Sequence, residues 1–350
     1  MATKKTATKK TATKKTVKAK YKGLVTHKNP HIDERACREL AQFRPDLFAK
    51  KLEWYEWPSA DRSELDQWLK KNPEFFPVGI GYGPCDEHSA PGSPPDPKKR
   101  NQCAASLFLE YFDIAEKVSK EDARALAAVV ERIRQQDTGG AGLYLTKLME
   151  GTTIAERDEF FKDCFDAMFT CERDFQVAMA DLTSKATKEW KLRVTTSGII
   201  RCATTSGASE MILAAARKLW IPVVLQITPD NVLIRVDGRL RKYVPDIEDV
   251  VRVIRMREMQ IRGEVSVVRR KDLAEQGMIE ACQEWYYLPC RNGDVIMMNG
   301  GKSAERIRPT SLTRAQLEQC IEIALNQTVF HAGRTCGRSH KCTSSASNPC

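Results

Sequence analysis

The chain has 350 residues, 42% hydrophobic and 29% charged, with a mean hydropathy of −0.45 and a formal net charge of +10. That length suggests about two domains. Its longest apolar runs, such as Ile221 to Ile227, fall far short of the ~20 residues of a membrane span, and no apolar stretch follows the basic N-terminus as a secretory signal requires, so a membrane protein, a collagen-like chain and a fully disordered chain are excluded.

The charge is unevenly placed. Eight lysines fall in residues 1–20, and the remainder carries only +2. The lysines sit in a tandem ATKKT repeat at Ala2–Thr6, Ala7–Thr11 and Ala12–Thr16. So few apolar side chains cannot offset the entropy of ordering, and a disordered tail over 1–20 is expected. Such a tail can contact nucleic-acid phosphates without reading sequence, or it can simply solubilise the chain.

Tyr21 to Thr26 reads as a strand entering the polar loop HKNPHIDE. Ala36, Leu40 and Phe43 carry helical periodicity, which Pro45 breaks. Trp54, Tyr55 and Trp57 cluster before a helix over Ser63 to Lys71; they can stack bases or pack under a loop. Phe75 to Tyr82 reads as a second strand, and the four prolines of Ala90 to Pro97 as an irregular loop. Helices are expected over Cys103 to Lys117, Glu121 to Gln136 and most of Thr153 to Lys188. Arg193 to Ala203, Pro222 to Ile227 and Val232 to Val236 then read as strands, with a helix over Ser209 to Leu219 and a turn at Pro229-Asp230-Asn231. Ile247 to Arg262 is an amphipathic helix, Val295 to Met298 a strand, Thr313 to Leu325 a helix and Thr328 to His331 a last strand.

Alternating strands and helices in the first part give an α/β domain over 21–190, with a smaller mixed α/β domain over 191–338 and a flexible tail over 339–350. The twelve cysteines are scattered along a chain without a secretory signal, so reduced thiols and a cytoplasmic setting are expected. Cys336, His340, Cys342 and Cys350 offer metal-ligand types near the end, but their spacing fits no zinc pattern well. Asn299-Gly-Gly-Lys302-Ser303 is not a phosphate-binding loop, because Ile296 stands where the first glycine belongs. Thr204 to Ser209, before a helix, reads as an anion site or an ordinary capped turn.

The five histidines carry the strongest chemical signal. Three lie directly after predicted strands, at the carboxyl edge where α/β sheets bind ligands. The first segment is His27-x3-His31-x-Asp33-Glu34 and the second is Asp86-Glu87-His88. Imidazoles beside carboxylates suit Mn, Fe or Zn better than Ca; the same residues could also cap a helix. Asp137, followed by Thr138-Gly139-Gly140, is either a further ligand or a turn residue.

His-x3-His-x-Asp followed by Asp-x-His resembles the DHH phosphoesterase superfamily, and THKNPHIDE is most similar to its branch of melanocyte-proliferating-gene-type metal-dependent 3′-5′ exonucleases. The resemblance implies a DHH-type parallel-sheet domain with helices on both faces and a following substrate-binding domain. It implies metal ligation by His27, His31, Asp33, Asp86, His88 and Asp137. It also implies phosphate contacts from the segment His331, Gly333, Arg334 and Arg338. One or two divalent ions would be bound, manganese ahead of magnesium or zinc. Glu34 and Glu87 are the carboxylates that would assist catalysis by fixing the ligands or completing the site. Two positions depart from the pattern: Glu87 replaces the middle histidine of the third motif, and Pro77 occupies the place of the second-motif aspartate. One metal, a site completed by Glu87 or Glu34, or a site without catalysis would each accommodate this.

The expected activity is metal-dependent hydrolysis of phosphodiester bonds, at nucleic-acid ends or in short oligonucleotides. The alternatives are a nucleic-acid-binding protein that has lost catalysis and a small-molecule phosphatase. Nucleic acid is the expected partner and a membrane is not.

Overall fold

The computed structural model describes residues 19–58, 62–94, 96–139, 145–153, 156–194, 198–264, 268–300 and 308–326. The lysine repeat, the segment from His331 to Arg338 with Gly333 and Arg334, and the cysteine and histidine cluster at the end lie outside these residues, as does the expected strand over Thr328 to His331. The chain divides into two compact units, 1–173 and 174–350.

In the first unit, β1 (Tyr21–His27) is the middle of a three-stranded parallel sheet, flanked by β2 (Phe48–Trp57) and β3 (Phe75–Pro77). A central parallel strand is covered on both faces, and Leu24 and Val25 show it. Leu24 packs with α1 (Ile32–Ala41), α3 (Ala104–Tyr111) and α5 (Lys120–Asp137), whereas Val25 packs with α2 (Arg62–Lys71) through Leu65. Phe112 closes the first cluster, with ring centroids 4.9, 4.8 and 4.6 Å from Phe48, Phe76 and Phe108. The short helices α4 (Ile114–Lys117) and α6 (Leu145–Glu150) follow α3 and α5.

Three differences from the sequence reading stand out. The segment at Trp54, Tyr55 and Trp57 is strand β2, pairing in register with β1 from Gly23 to His27. Its aromatics neither lie under a loop nor stand free: Tyr55 stacks on Trp68 of α2 at 5.0 Å and Trp57 is buried against the same ring. The expected strand over Phe75 to Tyr82 stops at Pro77, because the chain turns at Val78 and Gly79 has φ +59°.

The helix α7 (Arg157–Thr183) runs through the division between the units. In the second unit a seven-stranded mixed sheet has the order β4-β5-β6-β7-β10-β9-β8. The strands are β4 (Lys188–Arg193), β5 (Ile199–Thr205), β6 (Val223–Ile227), β7 (Asn231–Val236), β8 (Gly277–Ile279), β9 (Cys282–Pro289) and β10 (Val295–Gly300). Only β5 and β6 pair in parallel, across the crossover helix α8 (Ile212–Lys218). Alternation again sorts the side chains. Val223 and Leu225 face the core shared with α9 (Asp249–Ile261) and α10 (Arg314–Leu325), while Val224 packs with Ala215, Ala216 and Leu182 of α8 and α7.

The expected strand over Arg193 to Ala203 spans the last residue of β4 and most of β5, two strands that pair antiparallel, and β9 is a strand that the sequence pattern does not show. Thr204 and Thr205 of the Thr204–Ser209 stretch end β5, and beyond them Gly207 N donates to Thr205 Oγ1 at 3.1 Å and Met211 N to Ser209 Oγ at 3.1 Å. Among the described residues no helix is long and apolar enough to cross a membrane, and the nine described cysteines are free.

Candidate metal centre

Parallel pairing brings the carboxyl ends of β1 and β3 to one edge of the sheet, with Val78 N donating to Val25 O at 2.9 Å. From that edge β1 delivers His27, and the loop after β3 delivers Asp86, Glu87 and His88. The start of α1 brings His31, Asp33 and Glu34, and the end of α5 brings Asp137. Three groups of ligand atoms form there, each with all its atoms within 4.8 Å of one another. They are His27, His31 and Glu34; His31, Asp33 and Asp137; and Asp86, Glu87 and His88. His31 belongs to the first two, and its ring centroid lies 5.1 Å from that of His27. All six residues expected as ligands therefore fall at this edge, with Glu34 and Glu87 among them.

The carboxylates have different duties. Glu34 accepts from His31 N at 2.7 Å and pairs with His27 Nε2 at 3.0 Å, so it fixes the entry to α1 and orients the imidazole. Asp33 is 1% exposed. Its Oδ2 accepts from Ala104 N at the start of α3 (2.9 Å), and its Oδ1 finds no donor among the described residues. Asp86 is occupied in its own turn: Oδ2 accepts from Tyr82 N at 2.6 Å, and Oδ1 from His88 N at 3.0 Å and His88 Nδ1 at 2.9 Å. Lys99 Nζ clamps that turn by donating to the Gly83 and Asp86 carbonyls at 2.8 and 2.5 Å. Glu87 keeps Oε2 buried and without a donor among the described residues.

Burial, together with the neighbouring charges and hydrogen bonds, sets the proton affinities. Burial, then the neighbouring Glu34 and Asp137, push the Asp33 carboxyl well above its ordinary range. Burial raises Glu87 as well, and it raises Asp137 together with Glu34, while His31 and His88 temper the latter. Burial would also raise Glu34, but its bond to His27 and the charges of His27 and His31 outweigh it and hold Glu34 low. His88 is pulled down by burial, yet its bond to Asp86 and the charge of Glu87 leave it raised. The bond to Glu34 lifts His27 to about 9, against burial and with help from the Lys28 carbonyl.

The last shift gives a pH prediction for the metal-free protein. A raised imidazole contributes stability that is complete below its unfolded value near 6.5 and is lost as pH rises through about 9. Thermal unfolding in chelator should therefore show a falling midpoint over that window, with the slope flattened in His27→Gln. An unchanged slope in the variant would mean that the pair does not titrate as described.

Two carboxylate oxygens buried without donors among the described residues, beside imidazoles and further carboxylates, match the needs of a divalent ion with mixed nitrogen and oxygen ligands. Two contributors escaped the sequence reading. Gly79 lets the loop backbone approach Glu34, and Lys99 holds the Asp86 turn; a glycine soon after a strand was the one available hint of the first. No family model, curated protein or solved structure matches the chain.

Proposed function

We propose that the first unit is the metal centre of a phosphohydrolase that cleaves phosphodiester bonds at nucleic-acid ends or in short oligonucleotides. The observation that carries this reading is the buried Asp33 oxygen without a donor, set between His31 and Asp137 at the carboxyl edge of a parallel sheet. The motif resemblance to DHH phosphoesterases supplies the reaction class. A divalent ion bound there would supply Lewis-acid polarisation of a phosphoryl oxygen and a hydroxide near neutral pH. His31, Asp33 and Asp137, whose ligand atoms lie within 4.8 Å of one another, would hold it, and His27 would give up one of its two ring contacts to join them. Glu34 orients His27 and fixes the backbone of His31. Glu87 takes the place of the third-motif histidine with an oxygen free to ligate, and Asp86 shapes the turn that carries it. The lysine-rich N-terminus supports a nucleic-acid substrate, since eight closely spaced cations favour phosphate contacts.

One observation favours a second reading, a nucleic-acid-binding protein without catalysis. Pro77, paired with Val25 at the end of β3, stands where the resemblance expects an aspartate. Release of nucleotide from 5′-labelled single-stranded DNA and RNA separates the two. Turnover that needs Mn²⁺ and disappears in Asp33→Asn supports the hydrolase. Absence of turnover, with binding that persists in chelator, overturns it in favour of the second reading.

A further inference from the structure

Against the metal-ligand cluster, and sharing two of its residues, lies a cavity of about 380 Å³ within the first unit, most of whose lining the sequence motifs do not account for. His31 and Asp137 contribute to its wall, and so do two arginines, Arg35 and Arg157. Arg35 is held in place: its side chain is 7% exposed, Nε donates to the Pro30 carbonyl at 3.2 Å, and Nη1 pairs with Asp158. Asp158 in turn accepts from Arg38 Nη1 at 3.1 Å, so its charge is shared between two guanidiniums. Arg157 opens α7, and its buried Nε has no hydrogen-bond partner among the described residues. A buried guanidinium nitrogen left unbonded is costly unless a ligand satisfies it. The remaining wall mixes apolar Ile32 and Met149 with polar side chains and the Glu150 carboxylate, and the volume falls in the range of about 300–1,000 Å³ typical of small-molecule sites.

We propose that this cavity binds one nucleotide, its phosphate held by Arg157 and Arg35 next to the metal-ligating face of His31 and Asp137. The proposal deepens the phosphohydrolase reading and rests on it for the role of the bound unit. Guanidinium suits the task because its planar donors match phosphate oxygens and its charge never titrates away near neutrality. The apolar wall would cover sugar and base, and no feature of it reads base identity.

The test is calorimetric titration of the full chain, loaded with Mn²⁺, using adenosine 5′-monophosphate, adenosine and inorganic phosphate. The monophosphate should bind best, with adenosine at least about tenfold weaker, as expected for loss of a charge-assisted contact. Arg157→Gln should weaken the monophosphate by at least about the same factor while Mn²⁺ binding stays unchanged, and Arg157→Lys should recover part of the loss. Circular dichroism of both variants checks the fold. Equal binding of the monophosphate to wild type and Arg157→Gln overturns the subsite, as does equal binding of adenosine and its monophosphate. Inorganic phosphate binding as tightly as the monophosphate overturns the nucleotide assignment. Mn²⁺ binding without nucleotide binding removes the subsite and leaves the metal reading in place. Arg157-dependent nucleotide binding without Mn²⁺ binding does the reverse.

Discussion

Asp33→Asn should cost at least about 100-fold in manganese affinity while leaving the metal-free protein as stable as before, or more so. The first half follows from what partners of metal ligands are worth: losing a residue that merely supports a ligand costs about 10–100-fold, and a ligand itself should cost no less. The second half follows from burial. The carboxyl is 1% exposed, crowded by Glu34 and Asp137, and pushed well above its ordinary range. A carboxyl whose folded value is raised weakens the fold as pH rises above its unfolded value near 4, because the unfolded chain ionises more readily. At neutral pH the charge is thus a liability in the absence of a cation, and the amide removes it. The amide oxygen still accepts from Ala104 N, and the new N–H₂ faces Glu34. A merely structural aspartate would behave in the opposite way, losing stability with no change in metal affinity. Isothermal titration with Mn²⁺ and thermal unfolding in chelator, run on both proteins, decide between these patterns. A variant that binds manganese as well as the wild type would remove Asp33 from the centre.

That Asp33 could be singled out from sequence reflects what sequence displays well. A short apolar strand followed by His27, His31 and Asp33 announces both a buried central strand and the polar edge where it ends. The helix ending at Asp137 was visible in its periodicity, although its approach to His31 was not, since 105 residues of intervening chain had to be folded to bring them together. Strand β2 was hidden because it lies at the edge of its sheet, where Lys50, Lys51, Glu53 and Glu56 break the apolar signal that a central strand shows. Strand β9 was hidden for a different reason. Glu284 is buried in it beside Trp285 and bonded to Arg262, so a charged side chain sits where apolar alternation was sought. The division of labour between Asp86 and Glu87 depends on hydrogen bonds within one turn, which spacing alone does not encode. The arginines of the neighbouring cavity come from α1 and α7 and carry no local motif at all.

Gly79→Ala should destabilise the first unit by roughly 2–4 kcal/mol and weaken manganese binding with it. Two effects add. Gly79 has φ +59°, where an alanine costs about 1 kcal/mol. A methyl there would also lie 2.5 Å from Glu34 Cγ, and overpacking of this kind costs typically about 1–3 kcal/mol. Glu34 cannot swing aside cheaply, because its two oxygens hold His27 Nε2 and His31 N, so relief of the clash displaces the very residues proposed to bind metal. Gly139, just past the end of α5, is the matched control. Its φ is +80° and nothing among the described residues lies within 4 Å of the position a methyl would take, so Gly139→Ala should show only the backbone cost. Urea unfolding of both variants, with manganese titration of each, separates strain from collision. If Gly79→Ala proves no more costly than Gly139→Ala, the loop after β3 is not packed on Glu34, and Glu87 and His88 are not held against the ligands of α1. If the stability falls while manganese affinity holds, the contact is real but Glu34 does not position the centre.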